Sequence, residues 1–155
     1  MNPAHWHLIL NHIPVVGSAF VLALLGWAIF RRSEELKRAG LAAVALVAVL
    51  TVPTYFTGEP AFEGIMEILE ATPLDEDPLV ASHKFAAGIA FTAAALAGVA
   101  AIVGLIRGRG GKPLSGPVVI AAFVLTAVTA VLMARAANLG GAIQHAEIRD
   151  AGGKG

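Results

Sequence analysis

The chain has no cysteine, and only 14% of its 155 residues are charged. Without thiols there is no disulfide, no thiolate metal ligand, no cysteine-held iron–sulfur cluster, no thioether-attached haem and no acylated lipobox. Any metal must be held by histidine, carboxylate or methionine. Eleven basic and eleven acidic residues cancel, and a chain with no net positive field has no electrostatic claim on nucleic acid. What the chain has in excess is apolar surface: 57% of residues are hydrophobic and mean hydropathy is +0.75, more than one soluble core of this size could hide. Lipid must cover the rest.

Four apolar stretches without acidic or basic residues, 13–30, 41–56, 85–106 and 118–134, are each near the roughly 20 residues a helix needs to cross a hydrocarbon core. They predict an all-α, up-down four-helix transmembrane bundle as one domain over residues 1–150, with a disordered tail at 151–155. Seven of the eleven basic residues fall in two short linkers, Arg31-Arg32-Ser33-Glu34-Glu35-Leu36-Lys37-Arg38 and Arg107-Gly108-Arg109-Gly110-Gly111-Lys112, and nine of the eleven acids fall on the other side. Under the positive-inside rule the basic linkers are cytoplasmic. Both termini are then periplasmic and the chain is an inner-membrane protein. The first span lacks a basic leader, and its positive charges follow the apolar run, so it is expected to remain as a helix and not to be a cleaved signal.

Asn2-Pro3 and Asp77-Pro78 each set a capping side chain before a proline that tolerates the first turn, which predicts helix starts at Pro3 and Pro78. Ser115 is a weaker start for the last span, and Asn138 with Gly140-Gly141 reads as its end. Pro14 and Pro53 sit inside apolar spans and predict kinks. Between the second and third spans, Phe62, Ile65, Met66 and Leu69 alternate with Glu63, Glu67 and Glu70 at helical spacing, which predicts a short amphipathic helix on the outer surface.

This topology puts all five histidines, His5, His7, His12, His83 and His145, at the outer side. His5 and His7 flank Trp6 in the first turns, where rings anchor at the interface. Steps of three and four from His12 meet Val16, Ala19, Ala23 and Gly26; from His83 they meet Ala87, Ala90, Ala94, Ala97, Ala101 and Gly104. Small residues mark the side where membrane helices approach each other, so His12 and His83 are both expected to face inward. An ionisable group there is costly unless something uses it. His145 either folds over the bundle mouth or hangs in water. Glu59 and Arg135 lie at the same depth and either pair with each other, or Arg135 meets a cofactor carboxylate such as a haem propionate.

The segments Asn2-Pro3-Ala4-His5-Trp6-His7-Leu8-Ile9-Leu10-Asn11-His12-Ile13-Pro14, Thr57-Gly58-Glu59-Pro60-Ala61, His83 and Ala137-Asn138-Leu139-Gly140-Gly141-Ala142-Ile143-Gln144-His145-Ala146-Glu147-Ile148 resemble a domain-of-unknown-function family of small bacterial four-helix membrane proteins. The resemblance covers essentially the whole chain. Relatives of this type can be joined to Rieske iron–sulfur domains, and the resemblance thereby suggests electron transfer. Ser82-His83-Lys84 departs from the glutamates that the family places around the helix 3 histidine, and so from a carboxylate-rich metal site.

Two functional classes follow. In the first, His12 and His83 are axial ligands of a non-covalent haem b, Arg135 meets its propionates, and electrons pass between quinone and an outer-side or membrane redox partner. A variant replaces haem with iron, copper or zinc on His12, His83, His145 and Glu59. Either way the chain is an electron-transfer subunit more than a stand-alone enzyme. In the second, it is a non-catalytic structural or accessory subunit of a larger membrane complex, whose histidines merely form hydrogen bonds. No broken apolar pair or buried mid-membrane charge points to a transporter.

Overall fold

The computed structural model describes residues 2–69 and 78–145, and every regular element among them is helical. The elements are α1 (Pro3–Leu10), α2 (His12–Phe30), α3 (Glu34–Phe56), α4 (Gly58–Leu69), α5 (Pro78–Arg107) and α6 (Gly116–Gln144). Taken as continuous runs, Pro3–Phe30, Glu34–Gly64, Pro78–Arg107 and Gly116–Ile143 are long and apolar enough to cross a membrane. The chain thus has the form of a multi-pass membrane protein. Around the bundle, α2 packs on α3, α3 on α5, α5 on α6 and α6 on α2, while α1 packs on α4.

The packing is graded by size. Buried positions on α5 are Val80 and then only alanine and glycine: Ala86, Ala90, Ala93, Ala94, Ala97, Gly98, Ala101 and Gly104. Phe20, Phe30, Phe85 and Val131 point outward and are each about 70% exposed or nearly so. Large apolar side chains outside and small ones inside is the reverse of a water-soluble bundle, and it suits helices whose backbones attract by close contact in lipid. A Cβ built on Gly98 would sit 2.6 Å from the Ala48 Cβ on α3. Larger aliphatics, Val21, Leu25, Leu41, Val44 and Val119, fill the half nearer the α2–α3 turn.

Polar groups inside the bundle are satisfied locally. The hydroxyls of Ser18, Thr51, Thr126 and Thr129 donate to carbonyls three or four residues back in their own helices. Among the described residues no buried side-chain polar atom lacks a partner. Hydrocarbon offers no substitute for such bonds.

Local chemistry sets the helix ends. Asn2 accepts a bond from the His5 amide at 2.9 Å, with Pro3 in the first turn, as its sequence predicts. Ser33 caps α3 by accepting from the Leu36 amide. The three-residue turn before it forces Arg32 to φ 52°, a left-handed conformation costing a non-glycine residue about 1 kcal/mol or more. At the same end Arg38 Nη1 donates to the Gly108 carbonyl at 2.8 Å, and Glu34 Oε2 accepts from the Leu114 amide at 2.9 Å. The first turns of α3 thereby clamp the α5–α6 loop.

The interruption expected from Pro14 appears at Asn11, where the first span divides into α1 and α2, and two other expectations need correction. Pro14 has no amide hydrogen for the Leu10 carbonyl one turn back, and the Thr54 hydroxyl of α3 lies 3.2 Å from that carbonyl in its place. The last helix does not end at Gly140-Gly141 but continues to Gln144. Positive-φ glycines among the described residues are Gly110 and Gly111, so Gly140 serves packing and not a left-handed cap. Finally, α2 turns Pro14, Ser18, Val21, Leu25 and Ala28 inward, not the His12, Val16, Ala19 face. The close approach to α3 is supplied by the partner helix: Gly40 leaves the space that Leu25 occupies, its built Cβ only 2.9 Å from Leu25 Cδ1. The cap Asp77, the end of the amphipathic segment beyond Leu69 and the tail lie outside the described residues.

Gly98→Ala tests the α3–α5 contact. Alanine favours an isolated helix by about 1 kcal/mol, yet its methyl collides with Ala48, and overpacking costs about 1–3 kcal/mol. We expect a lower thermal midpoint in detergent; an unchanged or higher one would show that the two helices can separate freely.

Candidate functional site

The end of the bundle formed by α1, α4, the end of α3, the start of α5 and the last turns of α6 carries the histidines. His7 is half-buried on α1. It lies seven residues before Pro14, two helical turns along the face that α2 continues as Pro14, Ser18, Val21 and Leu25. Its Nδ1 is 3.1 Å from the Thr54 carbonyl and 3.2 Å from Thr57 Oγ1. Thr57 Oγ1 is itself within donor distance of the Pro53 carbonyl, at 2.9 Å. A carbonyl can only accept, so His7 Nδ1 carries the proton and Nε2 keeps its lone pair. The bond ties α1 to the end of α3.

His83 makes the same arrangement on the other side. Its Nδ1 donates to the Ala136 carbonyl of α6 at 2.9 Å, and its ring lies against Gly140, where a built Cβ would be 3.0 Å from Cε1. Any larger residue at position 140 would displace the imidazole. Again Nε2 is left unprotonated. Both rings lie at the same end of the bundle, one latching α1 to α3 and the other α5 to α6. A second ring nitrogen bonded to a carbonyl, which fixes tautomer and orientation, is how metal-binding histidines are held.

The other anticipated residues are placed differently. His12 is exposed and its Nδ1 donates to Leu8 O of the preceding turn at 3.0 Å; it does not face His83, because Pro14 two residues later occupies the inward side. His5 is exposed. His145 caps α6 and is exposed, about 8 Å along the axis beyond Gly140. Glu59, in the first turn of α4, pairs with Lys84 of α5 at 3.1 Å, and so not in the anticipated way with Arg135. Arg135 is exposed, and nine further helical residues follow it, so it is not in the last turn. No group of three or more metal-ligating side chains occurs among the described residues, and the set His12, His83, His145 and Glu59 is not brought together.

Mid-bundle, among Ser18, Val44, Ala48, Ala94 and Thr126, the helices leave a cavity of about 10 Å³, and the groove on the outer faces of α5 and α6 has no histidine in its wall. The donor chemistry of His7 and His83 fits a transition metal ion.

Compared with models of protein families, with characterised proteins and with solved structures, the chain matches none. The site is therefore read from its own geometry. Sequence reasoning passed over His7 as an interface anchor beside Trp6, although the spacing to Pro14 and Ser18 carried the signal.

Nitrogen-15 spectra of the imidazoles, recorded above pH 8, check the tautomers. We expect protonated Nδ1 and bare Nε2 at both His7 and His83; an Nε2–H form at either would remove that ring from the site.

Proposed function

We propose that this chain is a multi-pass protein of the bacterial cytoplasmic membrane that holds a redox-active transition metal ion between His7 and His83 and takes part in electron transfer. One observation carries this reading: two half-buried imidazoles from distant segments, at the same end of the bundle, each fixed by a backbone carbonyl and each presenting a bare Nε2. Imidazole suits iron, copper and zinc, and of these iron and copper change oxidation state. The resemblance to a family joined to Rieske domains supports the same direction. His7 and His83 would hold the ion, whose contribution is a one-electron change of oxidation state. The chain supplies orientation through Thr54, Thr57 and Ala136, and a packed, water-poor interior on one side. Reductant and oxidant would be quinone in the bilayer and a redox partner at the outer face.

The basic linkers 31–38 and 107–112 support a cytoplasmic position for the α2–α3 and α5–α6 turns. The histidine end and both termini then face the periplasm, with α4 lying at that surface, Ala61 buried and Glu59 and Glu63 exposed.

A second reading, a structural or accessory subunit, is favoured by Arg135. It is exposed on α6 within the span Gly116–Ile143, and a cation on a lipid-facing surface is costly unless its head reaches the interface or a partner meets it. The two histidines would then serve only as latches between helices.

Elemental analysis of the purified protein separates the two. We expect close to one iron or copper per chain, lowered at least tenfold in His7→Ala and His83→Ala and retained in His12→Ala. A metal-free protein after expression with iron and copper supplied would leave the accessory reading; a Soret band would identify the group as haem.

A further inference from the structure

Outside the histidine site, a groove of about 590 Å³ lies between the outward faces of α5 and α6. On α5 it runs from Lys84 through Gly88 to Leu96, and on α6 it is walled by Leu125 and Leu132. Twelve residues of helix are about 18 Å, and half of a hydrocarbon core about 30 Å thick is about 15 Å. The groove therefore reaches from one membrane surface to near the midplane, the depth of a single leaflet. Its walls are apolar along this length. The one hydroxyl among them, on Thr92, is turned back onto the Gly88 carbonyl at 2.9 Å.

The mouth is charged. Lys84 Nζ and Glu59 Oε1 are 3.1 Å apart, with side chains 41% and 59% exposed, and the ammonium also lies 4.8 Å from the Phe62 ring centroid. A cation and an anion side by side above a hydrocarbon slot complement a headgroup that carries both charges. An anionic headgroup would meet Glu59 with repulsion. A quaternary ammonium has no N–H to give the carboxylate, whereas a primary ammonium has three.

We propose that the α5–α6 groove is a binding site for one phosphatidylethanolamine molecule from the leaflet at the His83 end. An acyl chain lies along Gly88 and Leu96, the phosphate meets Lys84, and the headgroup ammonium meets Glu59. The site is independent of any metal at His7 and His83.

Native mass spectrometry of the full chain, delipidated in mild detergent and titrated with phosphatidylethanolamine, phosphatidylglycerol or phosphatidylcholine, tests this. We expect one phosphatidylethanolamine bound per chain, at least tenfold tighter than either competitor. Glu59→Gln should move the preference toward phosphatidylglycerol, and Lys84→Gln should weaken retention of phosphatidylethanolamine about tenfold. Gly88→Leu fills the slot and should abolish binding; a Cβ there makes only an ordinary contact, with Tyr55 Oη at 3.8 Å. Thr92→Leu, also in the wall, serves if Gly88→Leu does not fold. Equal binding of all three lipids, or undiminished binding when the groove is filled, would overturn the site and leave ordinary annular lipid.

Discussion

The contact on which the rest of this structure depends is the close approach of α5 to α3 and α6 through alanine and glycine. Hydrocarbon solvates an outward-facing leucine as well as a protein interior does, so burying large apolar side chains gives a membrane bundle little advantage. What remains is dispersion between surfaces that fit. The α5 face of Ala90, Ala94, Ala97, Ala101 and Gly104 provides it by bringing backbones together. The same closeness fills the middle of the bundle, and the polar chemistry lies at its end and along its outer faces.

At that end the packing relaxes and the polar chemistry begins. Pro14 withholds a hydrogen bond from Leu10, Thr54 reaches across to that carbonyl, and the Thr54 carbonyl and Thr57 hydroxyl receive His7. Gly140 gives His83 room to reach Ala136. Each histidine ties together two helices that are joined by few other polar contacts, α1 to α3 and α5 to α6. The same bonds serve as structural latches and as the orientation a metal ligand needs, which is why the redox and accessory readings share one geometry. Lys84 and Glu59 add a third tie, between α4 and α5, and set paired charges at the mouth of the lipid-facing groove.

Much of the architecture was legible from composition and spacing. Four charge-free apolar runs marked the spans, Asn2 and Ser115 marked helix starts, and the Ala and Gly stripe after His83 marked the buried face of α5. The same stripe rule failed for α2, because it weighs one helix alone. Leu25 faces inward there since Gly40 on α3 makes the hole, and a small residue on either partner gives the same approach. His12 went with that face and is exposed, while His7, two turns before Pro14, took the inward place. Gly140-Gly141 looked like a helix stop because a glycine's use as a cap and its use as clearance leave the same letter in the sequence.

The sequence by itself determined the solvent, the number of spans and the chemistry that is unavailable, because those follow from totals and from periodicity along one strand of chain. Only the tertiary structure decided which histidines reach across to a neighbouring helix and that Glu59 pairs with Lys84. Those are properties of facing surfaces, fixed by how helices far apart in sequence rotate against one another, and rotation is set by the sum of side chains on both sides of each contact.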